Sequence, residues 1–120
     1  MKKLRILIVE DDVMARIALE NILTDIAPVA VIAQRTVRGA AGILRERFDF
    51  AFLDTQVADG ETFSLAYALA ARGVPFAFMT DCPRAQLPKA WLSHPLVSKP
   101  PRRAAVRQAL LHAEDYLLVA

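Results

Sequence analysis

The chain has 120 residues, of which 55% are hydrophobic and 23% charged. This composition is typical of one globular domain with a single core and excludes a disordered chain. The formal net charge of +2 is too small to indicate nucleic-acid binding by itself. Local clusters of basic residues are more often a solvated surface than a phosphate-contacting patch. They comprise Lys2, Lys3 and Arg5, and Arg102, Arg103 and Arg107.

The cysteine count and the N-terminus bear on the compartment. Cys82 is the only cysteine, so no internal disulfide can form, which fits a reducing compartment. The apolar run 4–9 follows two lysines, as in a signal peptide, but it is short and has no small-residue cleavage site after it. No apolar stretch approaches the roughly 20 residues needed to span a bilayer. We therefore expect a cytoplasmic protein with no membrane contact.

Apolar runs and amphipathic segments alternate in the first part of the chain. The run 4–9 predicts a strand buried on both faces, and Asp12 is placed to cap the helix that follows. This helix is predicted to end at Pro28, and its spacing gives one apolar stripe. The stripe consists of Leu19, Ile22, Leu23 and Ile26. A second strand is predicted at 29–33, followed by a helix capped by Thr36.

The alternation continues through the middle of the chain. A third strand, 50–53, runs directly into Asp54, and the polar segment 55–60 predicts a loop. The next helix is predicted to stop at Gly73, before a fourth strand at 74–79. The predicted apolar face of this helix consists of Phe63, Tyr67 and Ala70.

Prolines interrupt the segment 81–95, so any helix there should be short. Trp91 within it is either a core residue or an exposed anchor for a partner. A brief fifth strand is predicted at 96–98, before the last helix. The apolar face of that helix consists of Val106, Ala109, Leu110, Ala113 and Leu117.

Five strands alternating with helices predict an α/β fold in which a parallel sheet is covered on both faces. Right-handed crossovers leave few topologies for such a chain. We predict one flavodoxin-like domain over residues 1–120, with strand order 2-1-3-4-5 and a short or irregular fourth helix.

Polar residues follow four of the predicted strands, at the edge where functional groups gather in such sheets. They are Glu10, Asp11 and Asp12 after the first strand, Asp54 after the third, Thr80 after the fourth and Lys99 after the fifth. Taken singly, each has an ordinary structural role, but the agreement of four strand ends favours a site. Clustered carboxylates must protonate, separate or share a cation, and oxygen ligands suit Mg²⁺. A carboxylate beside a metal, an ammonium group and a hydroxyl can form an acyl phosphate.

Together these motifs resemble those of the receiver domains of two-component response regulators, of the single-domain kind similar to chemotaxis regulators. The resemblance covers essentially the whole chain. It rests on four motifs in order: Ile6-Leu7-Ile8-Val9-Glu10-Asp11-Asp12, Phe52-Leu53-Asp54, Phe78-Met79-Thr80 and Ser98-Lys99-Pro100.

The resemblance implies a phosphoprotein that uses Mg²⁺, with a role for each motif residue. Asp54 would be the phosphoacceptor, while Thr80 and Lys99 would contact the phosphoryl group. The metal ligands would be Asp11, Asp54, the backbone carbonyl of Gln56 and, through water, Glu10. Asp12 would be a helix cap.

The resemblance also implies partners. The phosphoryl group would come from a histidine kinase or a histidine phosphotransfer protein, or from a small donor such as acetyl phosphate. Its arrival would shift the population towards a conformation that a downstream protein partner recognises. The chain would not be an enzyme, beyond assisting its own phosphoryl transfer and dephosphorylation. No direct DNA binding is expected, because no DNA-binding segment follows the last helix; a homodimer stays an open alternative.

Three features differ from the family pattern. Asp81 stands where a small residue is usual, and its carboxylate would either repel the phosphoryl group or cap the next segment. Leu96 replaces the aromatic residue often found three positions before Lys99, and prolines shorten the fourth helix. These features support an alternative, a degenerate receiver that acts as a phosphorylation-independent binding or dimerisation module. A Mg²⁺-dependent phosphatase is disfavoured, because Gln56 occupies the position of its general acid.

Three other residue positions with reactive side chains are expected to have no part in catalysis. His94 and His112 lack partners at metal-ligand spacing, so both are predicted to be structural or solvated. Cys82 is predicted to be a small buried residue of the core, not a redox sensor.

Overall fold

A five-stranded parallel sheet forms the centre of the computed structural model, which describes residues 3–81 and 86–119, with 113–119 as backbone only. The order is β2-β1-β3-β4-β5, which confirms the predicted topology. The strands are β1 (Leu4–Val9), β2 (Val29–Gln34), β3 (Phe50–Leu53), β4 (Phe76–Thr80) and β5 (Leu96–Ser98).

Helices cover both faces of this sheet. They are α1 (Val13–Ile26), α2 (Val37–Ile43), α3 (Phe63–Ala71) and α4 (Arg103–Val119). Between β4 and β5 the described residues contain no α-helix, and their 3₁₀ turn Lys89–Trp91 agrees with the predicted irregular fourth helix. Cys82 lies outside the described residues, and so do the side chains of Ala113 and Leu117, which are predicted on the apolar face of the last helix. None of the helices described is long and apolar enough to cross a membrane.

The core has one layer on each side of the sheet because successive residues of β1 point to opposite faces. Leu7 and Val9 pack in the layer that includes α2 and α3. Ile6 and Ile8 pack in the layer beneath α1 and α4. All four side chains are inaccessible to solvent, as predicted for a strand buried on both faces.

Side chains at the N-termini of α1 and α2 accept hydrogen bonds from the first-turn amides. Asp12 Oδ1 accepts from the amides of Met14 and Ala15, at 2.9 and 3.3 Å. Thr36 Oγ1 accepts from the amide of Gly39 at 2.9 Å. Both predicted caps are therefore present, and they fix where the chain enters each helix.

Gly73 ends α3 in the left-handed conformation, with a φ of +72°. Its amide donates to Ala70 O at 3.0 Å, and the amide of Val74 donates to Leu69 O at 2.9 Å. These bonds close the helix in a Schellman arrangement. Because Val74 is used in this way and Pro75 has no amide hydrogen, β4 begins at Phe76, two residues later than predicted.

The predicted apolar face of α3 is wrong. Its buried residues are Leu65, Ala66 and Leu69, whereas Tyr67 is 55% exposed and Ala70 is also exposed. Phe63 is only partly buried. Because almost every residue of this helix is apolar, hydrophobic spacing does not single out one face.

A glycine-to-alanine exchange should have opposite effects at two positions. Gly42 lies in α2, where an added methyl group would meet no atom within 4 Å, so Gly42→Ala should stabilise the fold by about 0.5–1 kcal/mol. Gly73→Ala should destabilise it by about 1 kcal/mol, because its φ is positive. Chemical denaturation of both variants checks this; equal shifts of the same sign would contradict it.

Candidate functional site

The predicted site residues meet at the carboxyl edge of the sheet. Glu10 follows the end of β1, and the amide of Asp54 donates to Val9 O at 2.9 Å, which sets β1 and β3 in register at this edge. Thr80 is the last residue of β4, and the amide of Lys99 donates to its carbonyl at 3.1 Å. Parallel pairing therefore brings together residues that are far apart in sequence.

Three carboxylates form the centre of the site. Glu10 is inaccessible to solvent and Asp54 is 7% exposed, while Asp11 is half-buried. One oxygen from each of these residues lies within 4.8 Å of the others. A hard divalent cation prefers such a set of oxygen ligands, so the group can hold a metal ion.

Lys99 contacts two of these carboxylates. Its Nζ lies 2.5 Å from Glu10 Oε1 and 2.8 Å from Asp54 Oδ2. Burial by itself would lower the pKa of Lys99, but the hydrogen bonds and charges of Asp54 and Glu10 outweigh it and raise that pKa. The ammonium group therefore stays charged and offsets part of the negative charge of the site.

Glu10 is the most perturbed acid of the site. Burial is the largest cause and its contacts with Asp54 come next, and together they raise the pKa of Glu10 from 4.5 to about 7. The hydrogen bond with Lys99 and the one donated by the Asp12 amide act in the opposite direction. The ammonium group of Lys99 thus does not fully compensate the negative charge of the three carboxylates. A further cation bound by their oxygens fits this cluster.

Two buried threonines that sequence reasoning missed belong to the same edge. The hydroxyl oxygens of Thr55 and Thr80 lie 3.1 Å apart, and Thr62 Oγ1 donates to the carbonyl of Asp54 at 2.5 Å. Thr62 stands at the N-cap position of α3, so its residue type suggests a helix cap, yet its side chain makes no capping bond. Thr55 follows the predicted phosphoacceptor directly, but that position alone carried no distinctive signal.

The segment after Asp54 is more ordered than the predicted loop. Gln56 pairs with Glu61 and Val57 with Gly60 in a short antiparallel hairpin, which we call the 56–61 hairpin. Gly60 permits its turn, with a φ of +137°. The backbone of Gln56 thus has a defined position next to Asp54, while its proposed role as a metal ligand stays a prediction.

The remaining predicted residues occupy positions near the site or in the core. Asp12 caps α1, as predicted, and Asp81 is exposed at the end of β4. Leu96 packs partly buried against the core layer that includes α3.

Aromatic side chains pack between the 3₁₀ turn and β4, where the ring of Trp91 meets those of Phe76 and Phe78. Trp91 is 8% exposed and belongs to the core, which agrees with the first of its two predicted roles. His94 stacks on Phe76 with ring centroids 4.1 Å apart, and its Nε2 lies 2.8 Å from Phe76 O, so its role is structural. His112 is exposed on α4.

Comparisons with known proteins identify the family. No protein-family model matches the chain, and no curated protein matches it significantly. The solution structure of SdrG from Sphingomonas melonis Fr1 is 33% identical, with a TM-score of 0.77 over 94% of this chain and 98% of that one. The BeF3-activated conformation of SdrG, from Pseudomonas melonis Fr1, is 33% identical, with a TM-score of 0.74 over 92% and 97%.

A more distant structure has the same fold. The response regulator REC domain of PhyR from Erythrobacter litoralis is 23% identical to this chain, with a TM-score of 0.78 over 97% of this chain and 93% of that one. The sheet order, the near-complete coverage of both chains and the identity to SdrG agree. The chain belongs to the family of response regulator receiver domains.

Proposed function

We propose that this receiver accepts a phosphoryl group on Asp54 with the help of Mg²⁺ and thereby switches a protein-interaction surface. The observation that carries the proposal is the position of the Asp54 carboxylate. One of its oxygens lies 2.8 Å from Lys99 Nζ, and an oxygen lies in the same cluster as those of Glu10 and Asp11. Formation of an acyl phosphate requires cations that offset the negative charge of the carboxylate and of the incoming phosphoryl group. Here Lys99 would supply one cation and the metal ion the other.

Four groups of this chain would hold Mg²⁺. They are Asp11, Asp54, the backbone carbonyl of Gln56 and, through water, Glu10. When bound, the ion would offset the charge that accumulates during transfer. The raised pKa of Glu10 supports this assignment, because Lys99 alone leaves the carboxylate charge only partly compensated.

The chain's own residues would carry the transfer as follows. A carboxylate oxygen of Asp54 attacks the phosphorus of the donor, and the bond between phosphorus and the donor's nitrogen or oxygen breaks with its electron pair on the donor. Lys99 then pairs with an oxygen of the phosphoryl group. The Thr80 hydroxyl, now 3.1 Å from that of Thr55, would turn to donate to another phosphoryl oxygen. Because Thr80 would then bond to the phosphoryl group and not to Thr55, phosphorylation would favour a different conformation at the carboxyl end of β4.

The proposed partners follow from this chemistry. A histidine kinase or a histidine phosphotransfer protein would be the donor, and a downstream protein would bind the switched surface. We propose a cytoplasmic signalling domain that is not an enzyme beyond its own phosphorylation and dephosphorylation. The existence of a BeF3-activated conformation of SdrG supports the proposal, because this chain is 33% identical to that protein.

Intact-mass measurement after incubation with acetyl phosphate tests the proposal. The wild-type chain should gain the mass of one phosphoryl group when Mg²⁺ is present and none when Mg²⁺ is removed by EDTA. Asp54→Asn should gain none, and Asp11→Asn should need more Mg²⁺ for the same extent of modification. No added mass from acetyl phosphate or from phosphorylated histidine donors would favour the degenerate receiver instead.

A further inference from the structure

The N-terminal turn of α2 is capped from outside its own segment. Thr36 accepts a hydrogen bond from the amide of Gly39, which leaves the amides of Val37 and Arg38. These donate to the two carboxylate oxygens of Asp59, at 2.7 and 3.1 Å. Asp59 therefore supplies a second cap to α2 across 22 positions of sequence.

Asp59 lies in the turn of the 56–61 hairpin, which begins two residues after Asp54. The other end of this hairpin is bound to the site. Thr62 donates its amide to Thr55 O at 3.1 Å and its hydroxyl to Asp54 O at 2.5 Å. The hairpin thus spans from the phosphoacceptor to α2.

A hairpin this short is not stable by itself and needs contacts with the rest of the fold. It has two residue pairs, and a two-stranded hairpin is at best marginally stable in water. Among the described contacts, buried Val57 and the Asp59 carboxylate are what fix the part of the hairpin remote from Thr62. The amides of Val37 and Arg38 lower the pKa of Asp59, so the carboxylate is charged at neutral pH and suits the positive end of the helix.

We propose that Asp59 is a positioning residue for the metal site. Its contact with α2 fixes the 56–61 hairpin, and the hairpin in turn fixes the backbone of Gln56 relative to Asp54. The inference rests on the proposed function, since Gln56 is a metal ligand only there. It adds a link between metal occupancy and the first turn of α2.

The link must act in both directions. If the contact of Asp59 with α2 favours Mg²⁺ binding, Mg²⁺ must favour that contact by the same factor. Mg²⁺ should therefore slow hydrogen exchange at the amides of Val37 and Arg38, although both lie on a different element from the site. A merely structural cap would show only the slowing that Mg²⁺ causes throughout the fold by stabilising the native state.

Two variants that remove caps from the same helix separate positioning from stability. Asp59→Ala removes the cap that is joined to the hairpin, whereas Thr36→Ala removes a cap that is not. Both should weaken α2. We expect Asp59→Ala to raise the Mg²⁺ dissociation constant roughly three- to tenfold, at or below the usual effect of supporting residues, and Thr36→Ala to leave it unchanged. Asp59→Asn, which keeps one carbonyl acceptor, should recover part of the loss.

NMR titration of the full chain with MgCl₂, followed at the amides of residues 53–57, measures these constants. If Asp59→Ala binds Mg²⁺ as wild type does, or if both variants lose affinity equally, the inference is wrong while the proposed function stands. If wild type itself does not bind Mg²⁺, both fail. Slowing of exchange at Val37 and Arg38 on adding Mg²⁺ that is no greater than at bonded amides elsewhere in the fold would also overturn the inference.

Discussion

Replacement of Lys99 by methionine should destabilise the metal-free protein by about 3 kcal/mol at about pH 8, at the low end of the cost of breaking a buried ion pair. The Lys99 side chain is 17% exposed, and its Nζ contacts Glu10 and Asp54, whose side chains are 0% and 10% exposed. Methionine keeps most of the apolar stem but leaves two adjacent buried carboxylates without a cation. Urea denaturation in EDTA measures the loss.

Two further measurements show whether charge explains that loss. Mg²⁺ should restore most of the stability of Lys99→Met, because a divalent cation neutralises the same carboxylates. Lys89→Met, which removes an exposed lysine from the 3₁₀ turn, should change stability by less than about 0.5 kcal/mol. A loss in Lys99→Met that Mg²⁺ does not reduce would point to lost packing of the side-chain stem.

The sequence was sufficient to place Glu10, Asp54, Thr80 and Lys99 at one edge of the sheet. Each follows or ends an apolar run short enough to be a buried strand, and parallel strands with right-handed crossovers leave their carboxyl ends on the same side. The strand bounds of β3 and β5 agree with prediction at both ends. The end of a buried strand can thus be recognised from the local sequence, and it determines which polar residues lie at the site.

The contacts that orient those residues were not predictable in the same way. Asp59 caps a helix that precedes it by 22 positions, and no spacing rule connects a turn aspartate to a distant helix. Thr62 was open to misassignment because a threonine before a helix usually caps it, whereas here its hydroxyl bonds to Asp54 O. Such partners depend on the folded path of the 56–61 hairpin, which follows from tertiary packing.

The wrong face of α3 has a related cause. Phe63, Tyr67 and Ala70 have the spacing of one helical face, but the neighbouring residues are apolar too, so this spacing does not identify the face that meets the core. The sheet surface instead accommodates Leu65, Ala66 and Leu69, while Tyr67 lies against Trp91 with ring centroids 5.0 Å apart. Trp91 comes from the segment without a regular helix, so this neighbour could not be placed from periodicity.

The stability of the metal-free protein should fall as pH rises between about 4.5 and 7. Glu10 loses its proton near pH 4.5 when unfolded but near pH 7 when folded, so the folded state binds more protons in this window. The stabilisation is complete below the unfolded pKa and is lost as pH rises through the folded pKa. A raised pKa of this size corresponds to about 3 kcal/mol. Urea denaturation in EDTA at about pH 5 and about pH 8 measures the difference.

Glu10→Gln is the matched control, because glutamine has nearly the same shape and does not titrate. Its free energy of unfolding should change much less between the two pH values. Both proteins contain the same two histidines, so the difference between their pH profiles gives the contribution of Glu10 alone. Saturating Mg²⁺ should also flatten the wild-type profile, because the ion stabilises the ionised carboxylates of the folded state. A wild-type profile as flat as that of Glu10→Gln in EDTA would show that Lys99 alone compensates Glu10, and the electrostatic reason for a second cation would be lost.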